Sequence, residues 1–395
     1  MGITLVINPG SSSKKYAFYK EEEQLLVVRY EKSAAEFHSV VTVKGTQNLP
    51  VAITPELYRD ALSDVLRIAQ TEQIITAISD ITNIAVRVVA PGTYFQQHRI
   101  IDEAFVSALT AVVATVPLHI PPVLEEIKAA QMLLPDTVLL GVSDSAFHAT
   151  IPTAMATYSL PATVDLGIRR YGYHGLSVHS IKDALPEMLD SLPSRVVVAH
   201  IGSGVSVSAL EDGVSVYNSM GYTPASGILM SSRAGDMDPG ALIEVLRKTN
   251  TNLDDAHQYV QTSGGFAGLL GVSDLRVVLE KEQSGDPAAT TAMEMFLFAI
   301  QSQIATATTA MGGIDVLVLS ATAMERNSVL RARVLKGVQF LGVVVDNVTN
   351  NTLHEQTGII STPGSRVTAV VVPTDEMGIM ARLAADNPAQ TRLAV

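Results

Sequence analysis

Two loops of small residues in this sequence have the composition of phosphate-binding turns. Pro9-Gly10-Ser11-Ser12-Ser13 follows an apolar run near the start of the chain, and Gly202-Ser203-Gly204 follows another. The backbone N–H groups of such turns form concavities that bind anions. A plain hairpin turn would explain either loop by itself. Lys14 and Lys15, directly after the first loop, favour a phosphate site because they put cations beside a hydroxyl-rich turn.

Four further segments hold side chains that could take part in the same chemistry. His174 lies in a run of arginines, tyrosines and glycines at 169–175, where the glycines imply that something approaches the backbone closely. Arg233 stands among acids in a Gly/Pro-rich loop, His119 in a proline-rich turn, and Asp144 at the C-terminal end of an apolar strand. α/β proteins place functional groups at such strand ends. Taken singly, Arg233 could belong to a salt-bridged turn, and His119 could be a histidine satisfied by its own turn.

The sequence lacks the signatures of several enzyme classes. It has no cysteine, which excludes disulfides, zinc–thiolate sites and thiol nucleophiles. It has no G-x-x-x-x-G-K-[ST] motif and no G-x-S-x-G motif, and neither glycine loop completes G-x-G-x-x-G. His354-Glu355 has no second histidine in metalloprotease spacing. These absences argue against a P-loop enzyme and lower the odds of a serine hydrolase.

The elements that must position these residues alternate between apolar strands and helices. Strands are predicted at 3–8, 24–30, 84–89, 138–142, 195–200, 205–210, 214–217, 315–319 and 367–372, and helices at 56–70, 102–115, 288–311, from 331, and at 376–386. This alternation is typical of an α/β protein with largely buried sheets. The segments 3–13 and 196–206 share one plan, an apolar strand followed by a Gly-Ser turn. The repeat suggests a duplicated domain with a cleft between the halves, although two such turns could also coincide by chance.

Length and charge restrict the class of protein further. The 395 residues exceed one ordinary core and indicate two or three domains, and 47% hydrophobic residues exclude an intrinsically disordered chain. The net charge of −12 argues against a general nucleic-acid binder. Prolines or polar residues interrupt the uncharged windows 104–124 and 295–314, so we expect no membrane helix. The first residues lack the basic start of a signal peptide, and we expect a cytoplasmic protein.

Taken in order, these segments resemble the acetate kinase family over nearly the whole chain. The matching motifs are INPGSSSKK, VRVV, VPLHIPP, SDSAFHATIP, RRYGYHGLSVH, AHIGSGVSV, SMGYTPASGILMSSRAGDMDPG, GGFAGLLGVSDLR and VVPTDE. The resemblance implies an α/β fold of two actin-like (ribonuclease H-like) domains, with a duplicated core and an interdomain cleft. It implies an N-terminal domain at 1–150, completed by the C-terminal helix 380–395. The second domain, at 151–379, would carry the nucleotide side and the dimer interface.

The resemblance also implies an activity and a set of site residues. The family transfers a phosphoryl group reversibly between ATP and acetate or propionate, uses Mg²⁺ (with Mn²⁺ as an alternative), and works as a homodimer without a membrane or nucleic-acid partner. Such enzymes mostly position the reactants and neutralise charge on the phosphoryl oxygens. The catalytic positions are Arg87, Asp144, His174 and Arg233. The carboxylate positions are Arg87, Val89, Leu118, His119, Tyr173 and Pro224. The nucleotide positions are Ser11, Ser13, Lys15, His200, Gly202, Ser203, Gly204, Asp274, Arg276, Ala323 and Met324, and the metal positions are Asn8 and Glu376.

This sequence departs from the family pattern on both substrate sides, with the largest change on the nucleotide side. Around Arg87 the family's H-R-V-V-H-G has Val86 and Ala90 in place of both histidines, and after His119 the family's H-N-P-P has Ile120 in place of the asparagine. The family's G-N-G has Ser203, and the residue after Glu376 is Met377 instead of a second glutamate. The family's glycine-rich adenosine loop G-G-I-G-E-N reads A-T-A-M-E-R at 321–326, so side chains occupy the glycine positions. We therefore expect ATP to bind poorly for this family, with Met324 obstructing the base. An acid kinase that uses pyrophosphate and a non-catalytic sensor paralogue are alternatives, but the retained transfer residues argue against the sensor.

Overall fold

The computed structural model describes residues 2–10, 13–33 and 36–387, and the chain divides into two compact units. Unit 1 combines the chain up to Ala90 with Gln97–Ala146 and the segment that begins at Asp375. Unit 2 combines Pro91–Gln96 with Phe147–Thr374. Each unit has a β-sheet of its own.

The described strands of unit 1 form one mixed sheet. They are β1 Ile3–Pro9, β2 Ser13–Lys20, β3 Glu23–Ser33, β4 Glu36–Val43, β5 Thr46–Gln47, β6 Val51–Ala52, β7 Ile81–Val88, β8 Arg99–Ile100 and β9 Val138–Ser143. Their order is β5-β4-β3-β2-β1-β7-β9-β8, and β6 pairs with β4. β1 and β2 form an antiparallel hairpin, whereas β1, β7 and β9 are parallel neighbours. The C-terminal ends of these parallel strands therefore meet at one edge of the sheet.

The described strands of unit 2 form a second mixed sheet. They are β10 Arg195–Ile201, β11 Val205–Glu211, β12 Val214–Asn218, β13 Val316–Ser320, β14 Gly358–Ile359 and β15 Thr368–Val371. Their order is β12-β11-β10-β13-β15-β14. β10 and β11 form an antiparallel hairpin, and β10, β13 and β15 are parallel neighbours.

The two sheets contain the same five-stranded core. β3-β2-β1-β7-β9 in unit 1 corresponds strand by strand to β12-β11-β10-β13-β15 in unit 2, with the same hairpin and the same parallel neighbours. This correspondence pairs the hairpin at 3–20 with the hairpin at 195–211, as the sequence repeat predicts. The predicted α/β fold class with a duplicated core is confirmed.

Helices connect the strands and cover the sheets. In chain order the described α-helices are α1 Pro55–Arg59, α2 Ala61–Thr71, α3 Glu103–Ala111, α4 Ile120–Leu133, α5 Thr153–Ala156, α6 Pro161–Asp165, α7 Gly175–Leu189, α8 Pro239–Lys248, α9 Leu253–Thr262, α10 Gly265–Leu270, α11 Leu275–Gln283, α12 Pro287–Ala310, α13 Thr322–Arg326, α14 Ser328–Gly337, α15 Asn347–Thr352 and α16 Glu376–Ala385. Short 3₁₀ turns lie at Ile78–Asp80, Thr93–Phe95, Ala146–His148 and Gln339–Leu341. Among these described helices, none has both the length and the apolar character that crossing a bilayer requires.

Helices pack onto the parallel strands of both units. α4 and α16 both contact β1, which is buried along its whole length. In unit 2, α7 presents Val178, Ile181 and Leu185, spaced three and four residues apart, to strand residues such as Val196 and Val318. These helices hold both sheets in place. The loops at the ends of the strands carry predicted site residues.

Two predicted helices differ from the observed ones. The helix predicted at 56–70 is interrupted at Asp60, which leaves the helical region (φ −93°, ψ 27°) and ends α1 before α2 begins. The helix predicted at 102–115 begins after its N-cap Asp102 but ends at Ala111. β-branched residues lose side-chain freedom in a helix, and Val112-Val113 follow at this point.

Candidate active site

An arginine bridges two carboxylates at the strand ends of unit 1. Arg87 lies near the end of β7, and Asp144 follows the neighbouring parallel strand β9. Arg87 Nη2 lies 3.1 Å from Asp144 Oδ1, and Arg87 Nη1 lies 2.8 Å from Glu376 Oε2. Glu376 is the first residue of α16. We call Arg87, Asp144 and Glu376 the Arg87 cluster; the fold brings together three positions to which the family resemblance assigns roles in catalysis and metal binding.

The Arg87 cluster is largely removed from solvent. Asp144 is 1% exposed, and the side chains of Arg87 and Glu376 are 17% and 18% exposed. Burial lowers the pKa of the Arg87 guanidinium, but Asp144 and Glu376 raise it, and the net result is a pKa above the ordinary value. Arg87 Nε is buried and has no hydrogen-bond partner among the described residues. The cluster therefore keeps a fixed positive group between two carboxylates at any pH near neutrality.

The β1–β2 hairpin contributes Asn8 and Lys15 to the same unit. These residues are paired in register, and Gly10 N donates to Ser13 O at 2.7 Å to close the turn. Ser13 begins β2, while Ser11 lies outside the described residues. Lys15 is exposed, yet the pKa of its ammonium group is lowered, mainly by desolvation. The charge of Glu376 raises this pKa, and the charge of Arg87 lowers it. Lys15 is thus within electrostatic range of the Arg87 cluster.

The predicted carboxylate-binding residues of unit 1 lie on two elements. Val89 directly follows β7 and lies two residues after Arg87. Leu118 and His119 precede α4, and His119 is its N-cap. The structure thus places Val89 at the strand end that carries Arg87, and Leu118 and His119 at the N-terminus of a separate helix.

A second group of predicted residues meets in unit 2. His174 Nδ1 lies 2.9 Å from Ser206 Oγ, and the rings of His174 and His200 are 4.2 Å apart between centroids. A Cβ atom at Gly204 would lie 3.0 Å from His174 Nε2 and 3.5 Å from Arg233 Nη1. We call His174, His200, Gly204, Ser206 and Arg233 the His174 cluster. A Cβ atom at this position would be in ordinary contact with Arg233 but tight against His174, so a larger residue would require the His174 ring to shift by a few tenths of an ångström.

The remaining residues predicted around this cluster are held by the same loops. Arg233 Nη1 donates to Pro224 O at 3.3 Å, which joins an arginine to a predicted substrate residue. Tyr173, next to His174, is 1% exposed, and its hydroxyl donates to Tyr222 O at 2.6 Å. Gly202 N donates to Gly204 O at 3.0 Å and folds the turn between β10 and β11 back on itself. Ser203 is exposed at the tip of that turn.

The loop after β13 differs from the expectation for the adenosine side. Ala321 has φ +68° and ψ 168°, a backbone conformation suited to glycine, and the chain then enters α13. A Cβ atom at Gly202 would lie 3.5 Å from Ala321 Cβ, so the two loops are adjacent. Met324 is completely buried, and Ala323 is half-buried. The structure therefore does not support the expectation that the Met324 side chain projects towards a base.

The predicted nucleotide pair Asp274 and Arg276 forms a local unit. Asp274 is the N-cap of α11, and Arg276 Nη2 lies 2.6 Å from Asp274 Oδ2 in an exposed ion pair. Within the part of the chain that the structure describes, neither residue hydrogen-bonds to the His174 cluster. The structure thus leaves these two predicted site residues apart from both clusters.

Three polar residues at the His174 cluster were not found from the sequence. Ser206 contacts His174 directly, while Asn218 and His148 bond to the adjoining peptide of Tyr173. Ser206 and His148 lie inside motifs that the sequence singles out, but nothing there distinguishes their side chains from ordinary polar residues. Their partners are 25 or more positions away, so local pattern could not reveal the contacts.

The donor set of the Arg87 cluster fits magnesium. Mg²⁺ prefers oxygen ligands and typically binds one or two protein carboxylates, with water and substrate phosphates completing the shell. Asp144 and Glu376 supply two such carboxylates to one arginine. Among residues 2–10, 13–33 and 36–387, no three histidine, aspartate or glutamate residues are grouped to hold a metal by themselves. The set suits a metal that arrives with a phosphate ligand better than one enclosed by protein.

Comparisons with known proteins agree on one family. The sequence model of the acetokinase family matches residues 3–382. The acetate kinase of Carboxydothermus hydrogenoformans is 33% identical over 389 residues, which cover 96% of this chain and 97% of that protein. The crystal structure of Porphyromonas gingivalis acetate kinase superposes with a TM-score of 0.85 at 30% identity, covering 98% and 99% of the two chains. A propionate kinase from Francisella tularensis gives a TM-score of 0.88 at 26% identity, covering 98% and 100%. The chain therefore belongs to the acetokinase family, and it is a phosphotransferase with a carboxyl group as acceptor.

Proposed function

We propose that this enzyme transfers the γ-phosphoryl group of ATP to acetate or propionate and forms an acyl phosphate and ADP, reversibly. The observation that carries the proposal is the Arg87 cluster, in which one buried guanidinium is shared by Asp144 and Glu376. The names of the relatives and of the superposed structures, acetate kinase and propionate kinase, support the acceptor class. They favour an active acid kinase over a sensor.

The reaction needs charge neutralisation more than acid–base catalysis. A carboxylate oxygen forms the new bond to phosphorus, and the bond between phosphorus and the bridging oxygen breaks, so its electron pair leaves with ADP. Nucleophile and leaving group are both anions, and no proton has to move in this step. Arg87, Arg233 and His174 would donate hydrogen bonds to the acid and to the phosphoryl oxygens, where charge accumulates.

The nucleotide phosphates would be bound by the hairpin loops. Lys15 would contribute a cation, and the N–H groups around Gly202 and Gly204 would contribute neutral donors. The burial of Met324 removes the steric reason to expect poor ATP binding, so ATP is the preferred donor over pyrophosphate. Asp274 and Arg276 would lie on the nucleoside side.

Mg²⁺ is the metal that we propose for this reaction, with Glu376 and Asn8 as protein ligands and Asp144 beside them. Bound Mg²⁺ supplies charge neutralisation on the phosphate oxygens. Arg87 would hold both carboxylates in place, because a guanidinium that bonds to two carboxylates restricts their rotation.

An assay of acyl phosphate formation tests the proposal. Acetate and propionate are incubated with ATP, GTP or pyrophosphate, and the product is trapped with hydroxylamine. We expect product with ATP, and a loss of at least about 100-fold in kcat for Arg87→Ala. Arg333→Ala is the matched control, because Arg333 also bonds to a carboxylate, Glu282, through both terminal nitrogens at 2.7 Å. Full activity in folded Arg87→Ala, or product with pyrophosphate alone, would contradict the proposal.

We further propose that the enzyme acts in the cytoplasm as a homodimer. The family resemblance supports the dimer, and unit 2 exposes the large apolar side chains of Phe298 and Phe340, which are 72% and 71% exposed. The absence of cysteine is consistent with a reducing compartment. Sedimentation equilibrium measures the mass of the native protein, and a monomer at micromolar concentration would contradict the dimer.

A further inference from the structure

The backbone just before His174 follows a path that most residues avoid. Gly172 has φ +74° and His174 has φ +61°, so two of three consecutive residues are left-handed. For a residue with a Cβ atom this conformation is unfavourable by about 1–2 kcal/mol. A Cβ atom at Gly172 would lie 2.9 Å from both Asn218 Cβ and His148 Cγ. Something in this region must therefore hold the segment, and these two side chains are packed directly against it.

Asn218 and His148 bond to both polar groups of the Tyr173 backbone. Asn218 Nδ2 donates to Tyr173 O at 3.0 Å, and Asn218 Oδ1 accepts from Tyr173 N at 3.4 Å. His148 Nε2 lies 3.0 Å from the same carbonyl oxygen. Both side chains are completely buried. The two peptide groups that flank Tyr173 are thus held in place by two side chains that are shielded from solvent.

The other atoms of the two side chains are also bonded, which fixes their orientation. Burial lowers the pKa of His148 to about 4, so the ring is neutral near pH 7. His148 Nε2 faces both Tyr173 O at 3.0 Å and Asn218 Nδ2 at 3.2 Å. We assign the hydrogen to Nε2, because the two hydrogens of Asn218 Nδ2 are already donated to Tyr173 O and Ser208 Oγ, and Nδ1 then accepts from Ser215 Oγ at 2.7 Å. Asn218 Nδ2 also donates to Ser208 Oγ at 2.9 Å, and Asn218 Oδ1 accepts from Met220 N at 2.9 Å.

We propose that Asn218 and His148 are positioning residues for His174. By holding the Tyr173 peptide, they keep His174 left-handed, with its Nδ1 at Ser206 and its Nε2 beside Gly204. The role of this geometry in phosphoryl transfer rests on the proposed function. The placement of the ring does not, and it can be tested separately.

The test compares four variants of the full-length enzyme. Asn218→Ala removes both bonds to Tyr173, and His148→Leu removes the bond from the ring. His148→Gln keeps an N–H donor for the carbonyl and should rescue the loss. Ser208→Ala is the matched control, because Ser208 is equally buried and bonds to Asn218 but not to Tyr173. Should Asn218→Ala not fold, Asn218→Asp keeps the shape and the acceptor but has no N–H donor.

Two readouts separate placement from a merely structural role. We expect Asn218→Ala to lower kcat by about 100-fold with little change in KM for ATP, because a displacement near 1 Å costs about this much. Ser208→Ala and His148→Gln should stay within a few-fold of wild type. The ¹⁵N shifts of the His174 ring should change in Asn218→Ala and His148→Leu only. In a His174→Ala background, Asn218→Ala should lower kcat no further.

The outcomes distinguish this inference from the proposed function. Wild-type kcat together with unchanged His174 shifts in Asn218→Ala would overturn the inference, as would equal losses in Ser208→Ala. Changed shifts without a loss of kcat would overturn the role of His174 in transfer, and with it the catalytic part of the inference. If the wild-type enzyme forms no acyl phosphate with any donor, the proposed function fails. The NMR comparison would then still decide whether Asn218 and His148 place the ring.

Discussion

Replacing Ala321 with glycine should relieve backbone strain at the adenosine-side loop. With φ +68° and ψ 168°, Ala321 occupies a region that is essentially restricted to glycine. A residue with a Cβ atom is destabilised there by about 1–3 kcal/mol. Ala321→Gly removes this strain but increases the entropy of the unfolded chain, which costs about 0.4–1 kcal/mol. Loss of the buried methyl group costs about 0.8 kcal/mol more, the value of one buried methylene.

Ala323→Gly is the matched control for this prediction. The substitution is chemically identical, but Ala323 lies within α13, where no strain is relieved and glycine costs about 1 kcal/mol relative to alanine. Combining these magnitudes, we expect Ala321→Gly to leave the free energy of unfolding about equal or raise it slightly, and Ala323→Gly to lower it. The expected gap between the two variants is the strain itself, about 1–3 kcal/mol.

Calorimetry and urea denaturation measure the gap. The two variants are compared side by side with wild type, and at about 2.1 cal/mol/K of unfolding entropy per residue the gap corresponds to a difference in Tm of about 1–4 °C. KM for ATP and for acetate is measured on the same samples. Equal losses of stability in the two variants would mean that Ala321 is not in the glycine-like conformation, and the reasoning would be refuted. If Ala321→Gly lowers KM for ATP and Ala323→Gly does not, the conformation of this loop affects nucleotide binding.

Three further predictions follow from buried groups. Met324→Gly should lower the stability by about 2–5 kcal/mol without improving KM for ATP, because the side chain is wholly inside the protein; tighter ATP binding in a stable variant would contradict its burial. Asp144→Asn and Glu376→Gln should each raise the Mg²⁺ concentration needed for half-maximal rate, and an unchanged magnesium titration in both would remove them from the metal site. Stability should fall as the pH drops from about 6.5 towards 4, because the unfolded chain gains a proton on His148 that the buried ring, with its pKa lowered to about 4, does not accept. His148→Gln should flatten this slope in urea titrations, and an equally steep slope would refute the assignment.

The fold could largely be predicted from the sequence, because its signals are local. The predicted strand 138–142 is observed as Val138–Ser143, and the predicted helix 376–386 as Glu376–Ala385. Apolar runs and caps determine such elements within a few residues. The repeat of a strand and a Gly-Ser turn is likewise local, and it identified the duplicated core that the two strand orders share.

Part of the site could not be predicted, because it depends on side-chain direction and on distant partners. The motif at 321–326 indicated that side chains replace glycines, but it did not reveal that the Met324 side chain lies inside the protein. Asn218 is an ordinary residue at the end of β12 in the sequence. Its importance depends on a bond to Tyr173, 45 positions earlier. Composition and periodicity carry no information about either feature.

The duplicated core allows the strand ends of the two units to be compared position by position. β7 and β9 of unit 1 correspond to β13 and β15 of unit 2, so the strand ends that carry Arg87 and Asp144 correspond to those followed by Ala321 and Val372. Unit 1 places charges at these ends, whereas unit 2 places small and apolar residues there. The departures at Ser203 and at 321–326 both fall in unit 2, and their loops are adjacent. Unit 1 also has departures, because Val86 and Ala90 flank Arg87 and Met377 follows Glu376, but Arg87, Asp144 and Glu376 themselves are kept. We therefore expect this chain to keep the chemistry of transfer and to differ from its relatives in its affinities for nucleotide, acid and Mg²⁺.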